Sequence, residues 1–271
     1  MLRTPLVVTA LCLTALFSAS AAAAAAAPLI IGGEDAPIGV YPFMVSIQVP
    51  TIGDTPRQQH WCGGTLISPS WVLTAAHCMG VTVDQAVVRV GQTNLGRDEG
   101  VVHRIAEIHS HPDFFQGGPD VALLRLEQPV SGIQPVQLLG LDGSAFEQDQ
   151  RPVTLIGWGV VEQIGDDFRT VDPLQHVETP LVTIAECKRL WGEAGRVDVQ
   201  EDLCAGGNYR DVCFGDSGGP LLVPAPGDGW YQLAVSSRAS PRCGEPGRPG
   251  IFTRLAGAST NAFIARTWDG R

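Results

Sequence analysis

Short runs of apolar and β-branched residues, separated at close intervals by glycine and proline, limit the folds open to this chain. Its 271 residues include 32 Gly and 20 Pro. The clearest candidate strands are MVSIQV (44–49), TLI (65–67), AVVRV (86–90), VALLRL (121–126), VTLIGW (153–158) and YQLAV (231–235). Short strands with frequent turn signals predict a β-barrel or β-sandwich rather than alternating βαβ units. A helical pattern is confined to 183–191 and to about 258–268.

The first 29 residues have the layout of a secretory signal peptide followed by a short pro-segment. Arg3 precedes an apolar run over 6–17, and an Ala-rich stretch follows it. A basic start, an apolar core of about a dozen residues and a small-residue end are typical of a signal peptide. The run is shorter than the ~20 residues of a membrane-spanning helix. We therefore expect a secreted, extracellular protein without membrane association once the signal is removed; an uncleaved anchor is the alternative.

Cysteine usage agrees with export. Apart from one cysteine in the leader, the chain has six, namely Cys62, Cys78, Cys187, Cys204, Cys213 and Cys243. An even number in an exported chain indicates disulfides rather than metal ligands, and no two have the C-x-x-C spacing of a zinc site. The spacing alone does not choose among the possible pairings.

Length and charge constrain the domain organisation and the possible partners. Residues 30–271 are enough for two packed units, which we place at about 30–138 and 151–256. The polar, turn-rich segment 139–150 is the candidate linker, and a C-terminal helix is expected at about 258–268. The formal net charge is −10. Because an acidic protein binds nucleic acid poorly, we expect no nucleic-acid partner, and we expect a monomer.

Three separated motifs carry residues that would act together in acyl transfer. LTAAHC contains His77, GGPDVALLRL contains Asp120, and CFGDSGGP contains Ser217. Each motif alone could be an ordinary loop or strand end. A serine hydroxyl needs an adjacent base, and imidazole titrates near enough to neutrality to serve as base and then as acid. A buried carboxylate would hold the imidazole in the correct tautomer. The N–H groups of Gly215 and Ser217 could then stabilise an oxyanion.

In this order, TAAHC, the DVALL strand and GDSGGP resemble the motifs of the chymotrypsin family, specifically its trypsin-like serine proteases. The resemblance runs from residue 30 to the C-terminus and includes IIGGEDA (30–36), CGGTLISPSWVLTAAHC (62–78), IGWG (156–159) and PGIFTRL (249–255). It implies two six-stranded antiparallel Greek-key β-barrels with the catalytic triad between them, followed by a short C-terminal helix. It also implies the disulfides Cys62–Cys78, Cys187–Cys204 and Cys213–Cys243.

The resemblance further implies activation by cleavage. In the family, the new amine at the position of Ile30 folds inward and pairs with the carboxylate at the position of Asp216. The chain would then be a zymogen cut between Leu29 and Ile30. Because Leu29 is not basic, an enzyme that cuts after Arg or Lys would not activate itself, so another protease or trimming of the pro-segment is expected.

Substrate specificity is implied by three positions. Asp211 lies six residues before Ser217, where trypsin-like members have the carboxylate of their specificity pocket, and Gly250 matches the glycine that leaves this pocket open. An unpaired buried carboxylate favours a cationic side chain, which predicts cleavage after Arg or Lys.

The pocket wall departs from the trypsin pattern. Where trypsins have Ser-Trp-Gly, this chain has Ser236-Ser237-Arg238, and Ser236 matches the serine that bonds the catalytic aspartate. We expect Arg238 to point to solvent or to pair with Glu245. Alternatively, it reaches Asp211 and fills the pocket.

Other departures concern a disulfide and metal ions. Val153 and Val223 occupy positions near which relatives often have a further disulfide, so we expect a packing contact there. The segment 91–100 offers only Asp98 and Glu99 to a calcium ion, too few for the oxygen ligands that calcium uses. His109 and His111 form an H-x-H pair that we interpret as a solvated strand end. No metal and no cofactor are expected.

These observations predict a secreted serine endopeptidase whose partners are protein or peptide substrates and protein protease inhibitors. One alternative is the same chemistry with chymotrypsin- or elastase-like or self-inhibited specificity caused by Arg238. Another is a non-catalytic binding protein on the same fold. A single Lys beside 17 Arg, with the Ala-rich leader, indicates a bacterial source.

Overall fold

The computed structural model describes residues 30–97, 99–227 and 229–268, and their secondary structure is mainly β. The strands are β1 (Glu34–Asp35), β2 (Met44–Gln48), β3 (His60–Ser68), β4 (Trp71–Thr74), β5 (Val87–Val90), β6 (Val101–Ser110), β7 (Ala122–Leu126), β8 (Gln137–Leu138), β9 (Pro152–Gly157), β10 (Val160–Ile164), β11 (Asp167–Thr170), β12 (Gln175–Val182), β13 (Asp202–Ala205), β14 (Pro220–Pro224), β15 (Trp230–Arg238) and β16 (Gly250–Arg254). The α-helices are α1 (Pro56–Gln59), α2 (Ile184–Trp191) and α3 (Ala258–Thr267). The predicted leader lies outside the described residues.

Most of these strands form two closed antiparallel barrels of six strands each. The first has the order β2-β3-β4-β7-β6-β5, and β5 pairs back onto β2. The second has the order β9-β12-β13-β16-β15-β14, and β14 pairs back onto β9. In each barrel the third strand along the chain pairs with the sixth: β4 pairs with β7 in the first barrel, and β13 pairs with β16 in the second. This connection is a Greek-key crossover. The predicted all-β, chymotrypsin-like fold is confirmed.

Strand β12 shows how the sequence pattern sets the register of a barrel strand. Val177, Thr179 and Leu181 are buried, whereas the alternate residues Glu178 and Pro180 are exposed. Because side chains alternate between the two faces of a strand, a shift of the pairing by one residue would place the exposed side chains in the core and the buried ones in solvent.

Hydrogen bonds join the two barrels close to the chemistry-bearing loops. The Thr65 hydroxyl donates to the Gln232 side-chain oxygen at 2.7 Å, and this contact is buried. The Gly63 N–H donates to the Ser217 carbonyl at 2.7 Å. These contacts hold the serine loop of the second barrel against β3 of the first.

Both predicted helices are confirmed, and each has its N-terminal N–H groups satisfied differently. In α2 the Thr183 hydroxyl accepts from the Glu186 N–H at 3.2 Å, an ordinary N-cap. In α3 the carboxylate of Glu201, far away in sequence, accepts from the N–H groups of Ser259 and Thr260 at 2.8 and 3.1 Å.

Two short elements were not predicted from the sequence. Helix α1 is a single turn with a capping box, in which the Thr55 hydroxyl accepts from the Gln58 N–H and the Gln58 side chain accepts from the Thr55 N–H. The candidate linker 139–150 contains a 3-10 turn at Gly140–Phe146. Both elements are too short to show helical periodicity.

The three disulfides are those that the resemblance implies. Cys62–Cys78, Cys187–Cys204 and Cys213–Cys243 close loops with sequence separations of 16, 17 and 30 residues. Val153 and Val223 are both fully buried in the core of the second barrel. The pairing of Leu221 with Leu155 and of Leu222 with Thr154 places the two valines opposite each other in the next position.

Burial in the core of the second barrel predicts how much stability is lost when a cavity is created there. Leu155 is fully buried in it, so Leu155→Ala should lower the free energy of unfolding by about 2–5 kcal/mol. Leu141→Ala, at a side chain that is 61% exposed, should change it by less than about 0.5 kcal/mol. Urea unfolding in a Ser217→Ala background, which prevents self-digestion, would measure both, and equal effects would contradict the burial argument.

Candidate active site

A cleft of about 370 Å³ between the barrels brings together residues from distant parts of the sequence. It is lined by Trp61, Cys62, His77, Val212, Cys213, Phe214, Ser217, Ser236, Ser237, Arg238 and Ala239. Predicted residues His77 and Ser217 therefore line one cleft, and Asp120 lies buried behind His77.

Strand pairing in the first barrel places His77 beside Asp120. His77 lies in the 3-10 turn Ala76–Met79, which begins two residues after the end of β4, and Asp120 lies just before β7. Because Thr74 of β4 pairs with Ala122 of β7, the two residues come close together. The Nδ1 atom of His77 lies 2.7 Å from Asp120 Oδ2, and the His77 N–H donates to Asp120 Oδ1 at 2.9 Å. With Asp120 ionised, the imidazole proton is on Nδ1, which leaves Nε2 to act as a base.

A hydroxyl completes the contacts of the Asp120 carboxylate, and it is not the one predicted. The resemblance assigned this role to Ser236, but the structure shows that Ser237 Oγ donates to Asp120 Oδ2 at 2.6 Å. The cause is an irregularity in the pairing of β15 with β16. Ser236 pairs with Phe252 and Arg238 pairs with the adjacent residue Ile251, so Ser237 is an extra residue between them. The extra residue at such a bulge changes the face of the strand to which a side chain points.

Asp120 is held in its ionised form by these contacts. Burial by itself would raise its pKa, but the hydrogen bonds from His77 and Ser237 outweigh burial and keep the pKa of Asp120 below its ordinary value. The carboxylate therefore remains an acceptor across the neutral range.

Ser217 sits in a glycine turn in which the N–H groups of Asp216, Gly218 and Gly219 donate to backbone carbonyls, whereas those of Gly215 and Ser217 do not. Gly215 has φ +96°, and a Cβ atom there would lie 3.0 Å from the Cα of Gly159, so only glycine fits without strain. Ser217 is half-buried. Among the described residues, neither the Gly215 nor the Ser217 N–H donates a hydrogen bond. Both donors are available to an anionic oxygen.

Asp216 is a buried carboxylate held by backbone donors. Its two oxygens accept from the N–H groups of Gly159 at 2.7 Å and Cys213 at 2.9 Å. Burial raises its pKa to about 6. Ile30, the predicted partner through its amine, is also fully buried. A partner cation would therefore have to enter the protein interior.

Arg57 and His60 extend this region, although no motif in the sequence pointed to either residue. Arg57 of α1 donates to the Trp158 carbonyl at 2.6 Å and to the Val171 carbonyl at 3.2 Å. His60 is buried, with Nδ1 2.8 Å from the Ser46 hydroxyl and Nε2 3.0 Å from the Gly215 carbonyl. Burial, with a smaller contribution from Arg57, lowers the pKa of His60 to about 3. The neutral ring therefore donates from Nε2 and supports the serine turn.

Asp211 is a second buried carboxylate behind the cleft. It accepts from the N–H groups of Val212 at 2.8 Å and Gly207 at 3.2 Å, and burial raises its pKa well above the ordinary value. A Cβ atom on Gly250 would lie 2.5 Å from its Oδ1, so glycine is required there. Asp211 itself does not line the cleft, but its neighbour Val212 does.

Arg238 lines the cleft and pairs with a residue other than Asp211. Its guanidinium donates to Asp202 Oδ2 at 2.6 Å, a contact that the sequence analysis did not anticipate. The predicted partner Glu245 instead accepts from Ser240 at 2.8 Å. Arg238 is therefore not the cation that fills the region of Asp211.

Phe214 occupies the rim of the cleft. It is 54% exposed, and its ring makes an edge-to-face contact with Phe168 at a centroid distance of 5.4 Å.

The remaining potential metal ligands have other partners. His109 Nε2 lies 2.8 Å from Glu107, and His111 Nε2 lies 3.1 Å from the Ser259 hydroxyl, so the two rings do not share a site. The predicted solvated strand end is wrong for His111, which is buried. Within the described residues, one cluster of potential ligands is close enough to hold an ion, but it consists of His77 and a disulfide. Asp98 lies outside the described residues. No helix in the described part of the chain is long and apolar enough to cross a membrane.

Two barrels of this strand order, with histidine and aspartate on one and serine on the other, are the arrangement of chymotrypsin-like serine peptidases. Comparison with known proteins agrees. The model of the trypsin family matches residues 30–264. A mouse tryptase is 35% identical over 240 residues, which cover 83% of this chain and 84% of the relative. A trypsin from Saccharopolyspora erythraea is 33% identical over 231 residues (83% and 93%), and human testisin is 32% identical over 244 residues (84% and 74%). The chain belongs to the trypsin family and is a serine endopeptidase.

The corrected contact of Asp120 can be tested with adjacent serines. Ser237→Ala should lower kcat/KM by about tenfold or more, because a hydrogen bond to a charged acceptor contributes about 1.5–3 kcal/mol. Since this bond lowers the pKa of Asp120, its loss should raise that pKa, because fewer hydrogen bonds then oppose the effect of burial. Ser236→Ala is the matched control and should lose much less. A larger loss in Ser236→Ala would contradict the assignment.

Proposed function

We propose that this protein is a secreted serine endopeptidase that hydrolyses peptide bonds after Arg or Lys through an acyl-enzyme, with His77, Asp120 and Ser217 as its catalytic triad. The observation that carries the proposal is the cleft that both Ser217 and His77 line, in which Nδ1 of the histidine lies 2.7 Å from the buried carboxylate of Asp120.

The chemistry runs in two half-reactions. Ser217 Oγ attacks the scissile carbonyl carbon while His77 Nε2 takes the hydroxyl proton. The resulting oxyanion collapses, the C–N bond breaks, and His77 returns the proton to the leaving amine. A water molecule then attacks the ester, again through His77, and releases the acid and Ser217. Asp120 stabilises the imidazolium that forms in each half.

The N–H groups of Gly215 and Ser217 form the oxyanion hole in this proposal. They have no acceptor in the described structure, and the hydrogen bond from His60 to the Gly215 carbonyl helps to fix the orientation of that residue. Removal of one such donor typically costs about 2.7–4 kcal/mol of transition-state stabilisation.

Specificity for Arg or Lys is supported by the environment of Asp211. This carboxylate is fully buried, is satisfied only by backbone N–H groups, and lies against the required glycine at 250. A buried carboxylate without a cation is strongly unfavourable, so a substrate cation that reaches it offsets a cost already present in the free enzyme. The Arg238–Asp202 pair supports this, because Arg238 does not compete for Asp211.

Peptides that differ only in the cleaved residue test this specificity. We expect kcat/KM for Arg and Lys to exceed that for Phe and Ala by at least about 100-fold, since an unpaired buried charge costs about 3–5 kcal/mol. Asp211→Ser should remove most of this preference, and Ser217→Ala should abolish turnover. Preference for Phe or Ala would support the chymotrypsin- or elastase-like alternative. Absence of turnover of every peptide by the protein that begins at Ile30 would support a non-catalytic binding protein.

Activation by cleavage before Ile30 is the second part of the proposal. Asp216 is buried with its pKa raised to about 6, and no ion pair to it is formed within the described residues. An amine released at Ile30 would supply the missing cation, and pairing would raise the amine's pKa. The pair would be present below that raised pKa and lost as the pH rises through it.

Two forms of the protein test activation. Protein beginning at Ile30 should have at least about tenfold higher kcat/KM than protein retaining Pro28-Leu29, a difference of about 1.4 kcal/mol. Its activity should fall as the pH rises through the amine's pKa. Asp216→Asn should remove the difference between the two forms, because the amine then has no anionic partner. Equal activity of the two unmutated forms would exclude this activation mechanism.

The three disulfides support secretion, because such bonds persist in oxidising compartments. The signal peptide and short pro-segment over the first 29 residues, the bacterial source and the monomeric state stay predictions from composition and resemblance. We include protein protease inhibitors among the proposed partners, since an inhibitor that mimics substrate would use the same cleft.

A further inference from the structure

Arg238 gives the cleft a feature that the proposed triad and pocket do not use. Among the described residues that line the cleft, it is the one with a permanent positive charge. Its side chain is 39% exposed, and it lies between two other lining residues, Ser237 and Ala239.

The guanidinium has more donors than its partners can accept. It donates to Asp202 at 2.6 Å and makes only a long contact of 3.4 Å with the Ser237 hydroxyl. Its Nε has no acceptor within the described part of the chain either, but this atom is buried, so a ligand would reach the terminal N–H groups of the half-exposed side chain. A guanidinium carries five N–H donors arranged to bind a carboxylate in a bidentate manner, so one carboxylate does not saturate it.

Strand pairing places Arg238 on the side of the cleft that would bind the acyl part of a substrate. It pairs with Ile251, the residue after Gly250, and Gly250 contacts Asp211 in the pocket that would hold the residue before the scissile bond. Residues preceding that one in the substrate would pass along the same wall.

The charge of Arg238 is held at the cleft by Asp202. That carboxylate is only 7% exposed, is fixed by the N–H of Asp198 at 3.0 Å, and lies on β13 behind the wall. Because one partner holds the guanidinium from behind, a second carboxylate can approach from the open side without first ordering a flexible side chain.

We propose that Arg238 forms a binding subsite for an acidic side chain, Asp or Glu, at one of the three substrate residues that precede the cleaved residue. This inference rests on the proposed endopeptidase function and adds a second element of substrate specificity to it. The physiological substrate would then carry an acidic residue shortly before a basic one.

Paired peptides test the subsite. All peptides have Arg at the cleaved position. There is one pair for each of the three residues before it, and the two peptides of a pair differ only in having Glu or Gln at that residue. We expect wild-type protein beginning at Ile30 to prefer Glu at one position by about tenfold in kcat/KM, or about 1.4 kcal/mol. Arg238→Gln should reduce this ratio to below about twofold. High salt should also reduce it, because the contact is half-exposed.

Two further variants separate a local contact from a general charge effect. Asp202→Asn removes the competing anion, so the Glu/Gln ratio should increase. Arg248→Gln removes a similar half-exposed arginine that pairs with Glu245 outside the cleft, and the ratio should not change. Thermal melting of each variant confirms that it is folded. If Arg238→Gln does not fold, the wild-type ratio and its rise in Asp202→Asn still decide the question.

Distinct outcomes overturn the two proposals. Wild-type protein that cleaves the peptides without a Glu preference at any position would overturn the subsite and leave the endopeptidase proposal intact. A preference that survives Arg238→Gln, or that Arg248→Gln abolishes equally, would also overturn the subsite. Failure to cleave any peptide would overturn the proposed function, and with it the subsite.

Discussion

The buried carboxylate of Asp120 is the contact on which the site depends, because it joins both barrels and orients the imidazole. From the first barrel, His77 approaches it with a ring nitrogen and a backbone N–H. From the second, Ser237 donates to the carboxylate and Thr253 donates to the Asp120 carbonyl at 2.9 Å. A buried charge is tolerated only when such donors surround it. The packing of the barrels and the geometry of the histidine are therefore set by the same few hydrogen bonds.

Two other buried carboxylates, Asp211 and Asp216, show the opposite situation. Both are fully buried, both depend on backbone N–H groups, and burial raises the pKa of both. Each is unfavourable as long as no cation reaches it, and each lies within a few residues of Ser217. Among the described residues the fold thus has two buried carboxylates without a salt bridge close to Ser217, the proposed nucleophile, which is where a substrate cation and a chain-terminal amine would have the largest effect. His60 and Arg57 support the same region without pairing directly with either carboxylate.

Arg238 illustrates how a single position is interpreted differently in sequence and in structure. In the sequence it could have pointed to solvent, paired with Glu245 or reached Asp211. In the structure Asp202 accepts its hydrogen bond, although Asp202 is 36 residues away and forms part of another strand. The bulge that moves Ser237 onto Asp120 also determines where Arg238 points. A local irregularity of one residue therefore decides both a contact of the proposed triad and the character of the cleft wall.

The sequence by itself determined the all-β architecture, because short β-branched runs separated by frequent Gly and Pro leave short strands as the stable solution. It also determined the two longer helices, and the ordered motifs around His77, Asp120 and Ser217 were specific enough to identify the family and its cysteine pairing. Only the tertiary structure decided that Ser237 rather than Ser236 reaches Asp120, that Asp202 pairs with Arg238, and that Arg57 and His60 support the serine turn. The physical reason is that strand periodicity and motif spacing are local properties, whereas these contacts depend on the register between strands. A bulge changes that register without leaving a signature in the order of the residues.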